Sequence, residues 1–188
     1  DIVLAGGGGA IAGGSGNVTL KDSAGSVTMA IEGGTGTIQI ADSDLDEITT
    51  TGTVIIGDAS TGAIEVGGAV SITPALTLVS SGAVTLSSTI ASGALTITNA
   101  GTLTIAAAGD LTLTDTFTQN GAGTVSTAGD ITTTADNISF ATAVALTGAV
   151  ALDSDGGNIT FGTTLDGGQT LALDAAAGAI AFNKDISS

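Results

Sequence analysis

Phe140, Phe161 and Phe182 are evenly spaced at a step of about 21 residues. Each closes the same short phrase: Asn137-Ile138-Ser139-Phe140, Asn158-Ile159-Thr160-Phe161 and Ala179-Ile180-Ala181-Phe182. Val144, Leu165 and Ile186 keep the same step, and so do Ile131, Leu152 and Leu173. Three apolar positions recurring together at one period restrict the fold severely. Each coil of chain is laid on the one before it, as in a solenoid.

Within a coil the recurring phrase is a turn residue, a small polar residue, then apolar–small–apolar. Gly16-Asn17-Val18-Thr19-Leu20, Gly25-Ser26-Val27-Thr28-Met29, Gly36-Thr37-Ile38-Gln39-Ile40 and Gly82-Ala83-Val84-Thr85-Leu86 are examples. Alternation over such a short phrase, rich in Val, Ile and Thr, predicts a strand with one buried face. Gly, Asn, Asp and Ser end each strand, and these residues accept positive φ and make tight corners. No stretch carries apolar residues at helical spacing, so helix content is expected near zero.

The coils align most clearly from Leu111 onward. One strand column runs through Leu111, Ile131, Val150–Leu152 and Leu171–Leu173, a second through Phe117, Phe140, Phe161 and Phe182, and a third through Val125, Val144, Leu165 and Ile186. The expected fold is therefore all-β: a parallel β-helix with three strands per coil and a coil of about 19–22 residues. Residues 1–188 read as one domain of about nine coils, less regular over 1–60, with no cap visible at either end. Gly6–Gly9 and Gly13-Gly14 are expected to loosen the first coils, and Ala41–Thr51 leaves the strand phrase and is expected to bulge out as a loop. Asp1-Ile2-Val3-Leu4 and Ile180-Ala181-Phe182 are expected to present open strand edges, which act as templates for pairing.

Composition removes several classes of function. Lys21 and Lys184 are the only basic residues and the net charge is −16, so the chain cannot neutralise phosphates; neither nucleic acid nor an anionic membrane surface suits it. No apolar run is long enough to cross a bilayer. Without cysteine there is no thiolate metal site and no disulfide. No positively charged segment followed by an apolar one opens the chain at Asp1, so any export signal is expected to lie outside it.

Phrases such as Gly157-Asn158-Ile159-Thr160-Phe161, Leu171-Ala172-Leu173-Asp174-Ala175 and Ala108-Gly109-Asp110-Leu111-Thr112-Leu113 resemble the repeats of filamentous-haemagglutinin-type adhesins and related giant bacterial surface proteins. The likeness covers about Gly16 to Ile186 and is periodic and compositional. It implies a right-handed parallel β-helix, export to the cell surface, and work in adhesion, biofilm or extracellular fibres.

Candidate sites are few. Asp42, Asp44, Asp46 and Glu47 gather four carboxylates in one short run and could offer hard oxygen ligands to calcium, although the spacing of an EF-hand loop is not met. Asp153-Ser154-Asp155-Gly156-Gly157-Asn158 is a weaker version made of ordinary corner residues. Asn137 and Asn158 stand at equivalent places before the phenylalanine strands and are expected to form a structural ladder with Phe140, Phe161 and Phe182. Catalysis is not expected: a lyase of this shape would use a basic residue and cations, but the chain has no Arg or His and its two lysines sit near opposite ends, and a glycosidase would offer Trp or Tyr platforms, which the chain lacks. Thr-x-Thr pairs such as Thr96–Thr98 and Thr112–Thr114 suggest ice binding, but their spacing spreads them over different faces.

The expectation is a non-enzymatic extracellular rod at a bacterial surface or in its matrix. It would have no cofactor, with calcium the one candidate, and would associate with itself end to end or laterally, or with a host or neighbouring-cell surface. A calcium- or glycan-binding surface module is the alternative.

Overall fold

A computed structural model describes residues 11–187. Asp1-Ile2-Val3-Leu4 and Gly6–Gly9, expected to form an open edge and loose first coils, lie outside the described residues. A short phrase such as Val84–Leu86 turns two apolar side chains to one side of a strand and one small side chain to the other, because successive residues alternate. Such a strand buries one face only. It gains a second layer of neighbours by stacking on its equivalent in the next coil.

Parallel pairing of equivalents gives three long sheets. The first has eight strands: Val18–Leu20, Thr53–Gly57, Ala75–Ser80, Leu95–Asn99, Phe117–Gln119, Ile138–Phe140, Ile159–Phe161 and Ile180–Phe182. The second, also eight-stranded, runs from Leu165–Asp166 back through Val144–Leu146, Val125–Thr127, Leu103–Ile105, Val84–Leu86 and Ile64–Val66 to Met29–Ile31 and Ile38–Ile40. The third has six strands, from Val70–Ser71 to Leu171–Asp174. A separate two-stranded sheet pairs Ile11–Gly14 with Ile48–Thr50, so Gly13-Gly14, expected to loosen the first coils, belong to a strand. The protein is an all-β solenoid, and the inward side chains of all three long sheets meet in one core from Val18 to Ala175. Eight rungs at about 4.8 Å give the first sheet a length of about 34 Å.

The expected strand columns are the observed ones, with Phe117 alone out of its expected register. Leu111 pairs with Ile131, Ile131 with Leu152, and Leu152 with Leu173; Val125, Val144, Leu165 and Ile186 follow one another likewise. In the first sheet Leu76, Leu95, Phe117, Ile138, Ile159 and Ile180 succeed one another rung by rung.

Six coils, rather than nine, carry all three strands. The difference lies early in the chain, where the single turn from Val18 to Val54 consumes 36 residues. After Met29–Ile31 the chain reverses through Glu32 (φ 46°), Gly33 (φ 77°) and Gly34 (φ 114°), and Ile38–Ile40 pairs in parallel with Met29–Ile31 from the other side. A parallel return ordinarily takes a dozen residues or more. Here left-handed backbone, open to glycine at two of the three positions, makes it within the short stretch from Glu32 to Thr37. The Ile38–Ile40 phrase, legible as the start of another coil, is therefore an extra rung within the same turn. The stretch after it does not bulge outward either. Asp42–Leu45 forms a single helical turn with Leu45 buried in the core, and Ile48–Thr50 is a strand.

The aromatic ladder is in register from Phe140 upward. Phe140 and Phe161 stack with ring centroids 5.4 Å apart, and Phe161 and Phe182 at 5.1 Å with planes within 1°. Phe117 belongs to the same sheet but is displaced by one inward position. It pairs with Ile138, while Gln119 pairs with Phe140. Its ring still reaches Phe140 at 5.2 Å, tilted by 55°. Two inward positions per strand explain this: large rings fill the first position where the second holds Gln119, and the second position in the coils above.

Many phrase-opening glycines are required for a reason other than positive φ. A Cβ on Gly123 would run into the Gly101 carbonyl, and one on Gly178 into the Gly157 carbonyl one coil below. Stacked corners approach so closely that only a bare Cα fits between them.

Phe161→Ala, which removes the middle ring of the stack, is expected to cost about 3–5 kcal/mol in denaturant unfolding, and Phe182→Ala clearly less because Phe182 is 37% exposed. Equal costs for the two would contradict the ladder. Gly123→Ala is expected to destabilise by about 1–3 kcal/mol through overpacking, seen as a lower melting temperature with unchanged β-sheet circular dichroism below it.

Candidate functional site

The corners between sheets hold most of the polar side chains, because each strand spends its inward positions on the core. Asn137 Oδ1 accepts the Asn158 backbone N–H at 2.8 Å, and Asn158 Oδ1 accepts that of Ala179 at 2.8 Å. The asparagine ladder thus joins side chain to backbone instead of amide to amide. Asn17 does the same for Thr53 N–H at 3.0 Å. A second ladder of this kind, missed in the sequence, runs along the six-stranded sheet: Asp110 Oδ1 takes the Asp130 N–H at 2.9 Å, and Asp130 Oδ1 that of Ala151 at 2.7 Å. The return of Ala108-Gly109-Asp110-Leu111-Thr112 one coil later as Ala128-Gly129-Asp130-Ile131-Thr132 was its visible signal.

Two amides are wholly buried. Gln119 Nε2 donates to Asn99 Oδ1 at 2.9 Å and to the Gly121 carbonyl at 3.0 Å, and Asn99 Nδ2 donates to the Gly101 carbonyl at 2.6 Å. The Gln119 side-chain carbonyl accepts the Ala141 N–H at 3.1 Å and the Thr142 hydroxyl at 3.2 Å. Every polar atom of the Gln119 side chain is thereby matched, which a buried amide demands. A glutamine at an inward strand position, just after Phe117, was the sequence signal for it.

The four carboxylates expected as calcium ligands are placed as follows. Asp42 Oδ1 accepts the Ser71 N–H at 2.9 Å, on the edge of the six-stranded sheet, and the Asp42 N–H donates to Glu32 Oε2 at 2.6 Å. Asp44, buried, accepts the Ala41 N–H at 3.0 Å. Asp46 is exposed, and Glu47 Oε2 is buried without a hydrogen-bond partner among the described residues. Among the described residues no three acidic side chains are grouped so as to hold a metal ion. Burial raises the Asp42 carboxyl above its ordinary value, opposed by the Ser71 N–H and supported by the charges of Asp46 and Glu32. The arrangement ties the Glu32–Glu47 excursion to the rod: Asp42 fills an N–H on a sheet edge that would otherwise be open to another strand.

Asp153 and Asp155 lie in one turn. Asp153 Oδ1 accepts the Asp155 N–H at 3.0 Å, with Asp155 at φ 44° and the buried Ser154 hydroxyl bonded to the Gly157 carbonyl at 2.6 Å. The next coil repeats the turn: Asp174 pairs with Asp153 and accepts the Ala176 N–H at 2.9 Å, with Ala176 also at φ 44°. These aspartates do the work of corner formation.

The outward positions of the first sheet form one file, Thr77, Thr96, Thr118, Ser139 and Thr160, in register. Thr104 lies on the second sheet and Thr112 and Thr132 on the third, so Thr-x-Thr pairs are spread over faces, while single threonines line up along each. A shallow open groove lies beside this file, lined by Thr50, Thr53, Thr73, Pro74, Thr114 and Asp115.

One ion pair appears among the described residues: Lys21 Nζ to Asp58 Oδ2 at 2.9 Å, across one turn of the rod. Asp58 Oδ1 also accepts the Ser60 hydroxyl at 2.6 Å and the Ser60 N–H at 2.8 Å. The Ser60 hydroxyl first, then Lys21 and the Ser60 N–H, hold the Asp58 carboxyl well below its usual value, and Asp58 in turn raises the Lys21 ammonium.

Comparison with family models, with curated proteins and with solved structures finds no match. The chain is a parallel β-solenoid repeat protein on the strength of its own geometry.

Because the Asp58 carboxyl is depressed in the fold, its contribution is present above the unfolded value of 3.8 and is lost as pH falls through the folded one. Asp42, raised in the fold, contributes in the opposite sense: its share is present below 3.8 and is lost as pH rises through the folded value. Thermal melting from neutral to strongly acid pH is expected to show Asp58→Asn with a flatter acid limb than the parent and a lower melting temperature at neutral pH. An unchanged acid limb would remove Asp58 from the account.

Proposed function

We propose that this solenoid is a non-enzymatic extracellular rod, either a segment of a bacterial surface adhesin or a subunit of a self-assembled surface or matrix fibre. The observation that carries the reading is the in-register stack of coils around one continuous apolar core. Ile180 is 42%, Phe182 37% and Ile186 60% exposed, the only large apolar side chains so placed among the described residues, and all three belong to the last coil. Each coil below it seats the next through the same positions, so this edge has the chemistry of a coil-on-coil contact.

The distribution of polar chemistry supports the same reading. Asn, Asp and Gln side chains are engaged in bonds between successive coils, and the outward file of the first sheet is uncharged. Stiffness is then the working property, and contacts are made through the end or through plain faces, with further copies or with a host or neighbouring cell. The phrases around Phe161 and Leu111, similar to those of filamentous-haemagglutinin-type adhesins, support a location outside the cell.

Electron microscopy of the purified 188-residue chain at neutral pH, with and without millimolar calcium, tests this. Filaments or laterally packed sheets are expected for a fibre subunit, and single short rods for an adhesin segment. Compact particles without rod shape would refute both. Filaments that form only with calcium would bring the Asp42–Glu47 carboxylates back as ligands.

A further inference from the structure

Asn120 stands at the corner where the chain leaves Phe117–Gln119, and Gly121 follows it. The chain has six asparagines, and this is its only Asn-Gly pair. Gly121 is buried in the corner, but having no Cβ it adds nothing of its own between its nitrogen and the Asn120 side chain. The state of that nitrogen further separates Asn120 from the asparagines of the rungs. After Asn99, Asn137 and Asn158, the next N–H is tied into a rung, Ala100 to the Ser80 carbonyl at 3.0 Å, Ile138 to that of Asn158 at 2.9 Å and Ile159 to that of Ala179 at 2.9 Å. The Gly121 N–H meets no acceptor among the described residues; its bond is made by its carbonyl, to Gln119 Nε2 at 3.0 Å.

The electrophile is prepared as well. Asn120 is exposed to water, and its Oδ1 accepts the Thr98 hydroxyl at 2.6 Å from the coil below. A donor at that oxygen stabilises the negative charge that develops there when a nucleophile adds to the amide carbon. Oδ1 of Asn137 and of Asn158 also accepts a donor, a backbone N–H, but there the neighbouring nitrogen is locked in the ladder.

We propose that Asn120 is a site of spontaneous deamidation assisted by the Thr98 hydroxyl. The Gly121 nitrogen loses its proton to water or hydroxide and bonds to Asn120 Cγ. Thr98 holds the resulting oxyanion. The Cγ–Nδ2 bond then breaks, and ammonia leaves with a proton taken from water. The cyclic imide so formed is opened by water at either carbonyl, giving aspartate or isoaspartate, so the net change is amide plus water to carboxylic acid plus ammonia. The isoaspartate product lengthens the main chain by one methylene. It does so beside the buried Gln119–Asn99 bond and next to Gly121 and Gly123, which lie too close to Asn99 and Gly101 to admit a Cβ. Deamidation therefore loosens the middle of the rod with age, whatever the rod is attached to.

The test incubates the folded full-length chain at mildly alkaline pH and follows asparagine-containing peptides by mass spectrometry. The expected result is the amide-to-acid mass change, with isoaspartate, at Asn120 and not at Asn99, Asn137 or Asn158. Thr98→Val is expected to slow it about fivefold, the worth of one ordinary hydrogen bond, and Thr98→Ser to keep the parent rate. Thr98 is a half-exposed strand residue, and circular dichroism checks that both variants keep the fold. No conversion at Asn120, or equal conversion at the ladder asparagines, overturns the proposal. A parent rate in Thr98→Val overturns the part assigned to Thr98.

Discussion

The structure depends on the close parallel seating of one coil on the next. A parallel ladder spaces equivalent backbones about 4.8 Å apart, and at that spacing every position becomes a contact with its own copy. Apolar positions stack into a core, phenylalanines into a ring stack, amides and carboxylates into files of hydrogen bonds, and glycines into corners where nothing larger fits. No coil has a core of its own, so the stability of each is shared with its neighbours. This is why unrelated-looking features, such as Gly123 over Gly101 and Asn158 over Asn137, answer to one constraint.

That constraint also decides where polarity can go. An inward polar side chain is tolerated only with all of its bonds made, and Gln119 meets this by gathering Asn99 below, Ala141 and Thr142 above, and the Gly121 carbonyl beside it. In the next coil Phe140 takes the same place and the aromatic stack begins. The rod therefore has two kinds of inner corner, an amide section and an aromatic section, joined through the tilted contact of Phe117 with Phe140. Carboxylates meanwhile collect at turns, where Asp153 and Asp174 shape successive copies of one corner and Asp42 closes a sheet edge. A chain of net charge −16 stays foldable in this way because much of its acid is spread along the rod's corners rather than set within its core.

The regular half was legible in the sequence. The constant step at Phe140, Phe161 and Phe182, shared by Val144, Leu165 and Ile186, translates directly into rungs, because a solenoid turns sequence period into spatial neighbourhood. The irregular half was not. Ile38–Ile40 carries the same phrase as any other strand, and nothing local distinguishes a new coil from an extra rung on the coil already begun. The outcome rests on the backbone from Glu32 to Gly34 and on what Asp42 and Leu45 find to contact. The acidic run from Asp42 to Glu47 was equally ambiguous, since carboxylates that accept backbone N–H groups have the same composition as carboxylates that hold a cation.

By itself, then, the sequence determined the fold class, the coil length, the three columns and the membership of the core, since all of these follow from apolar periodicity and turn residues. Only the tertiary structure decided the register of Phe117 against Ile138, the pairing of Gln119 with Asn99, the long first turn from Val18 to Val54, and the unbonded Gly121 N–H beside Asn120. These depend on which atom one coil sets above another, a relation between distant residues that no local pattern encodes.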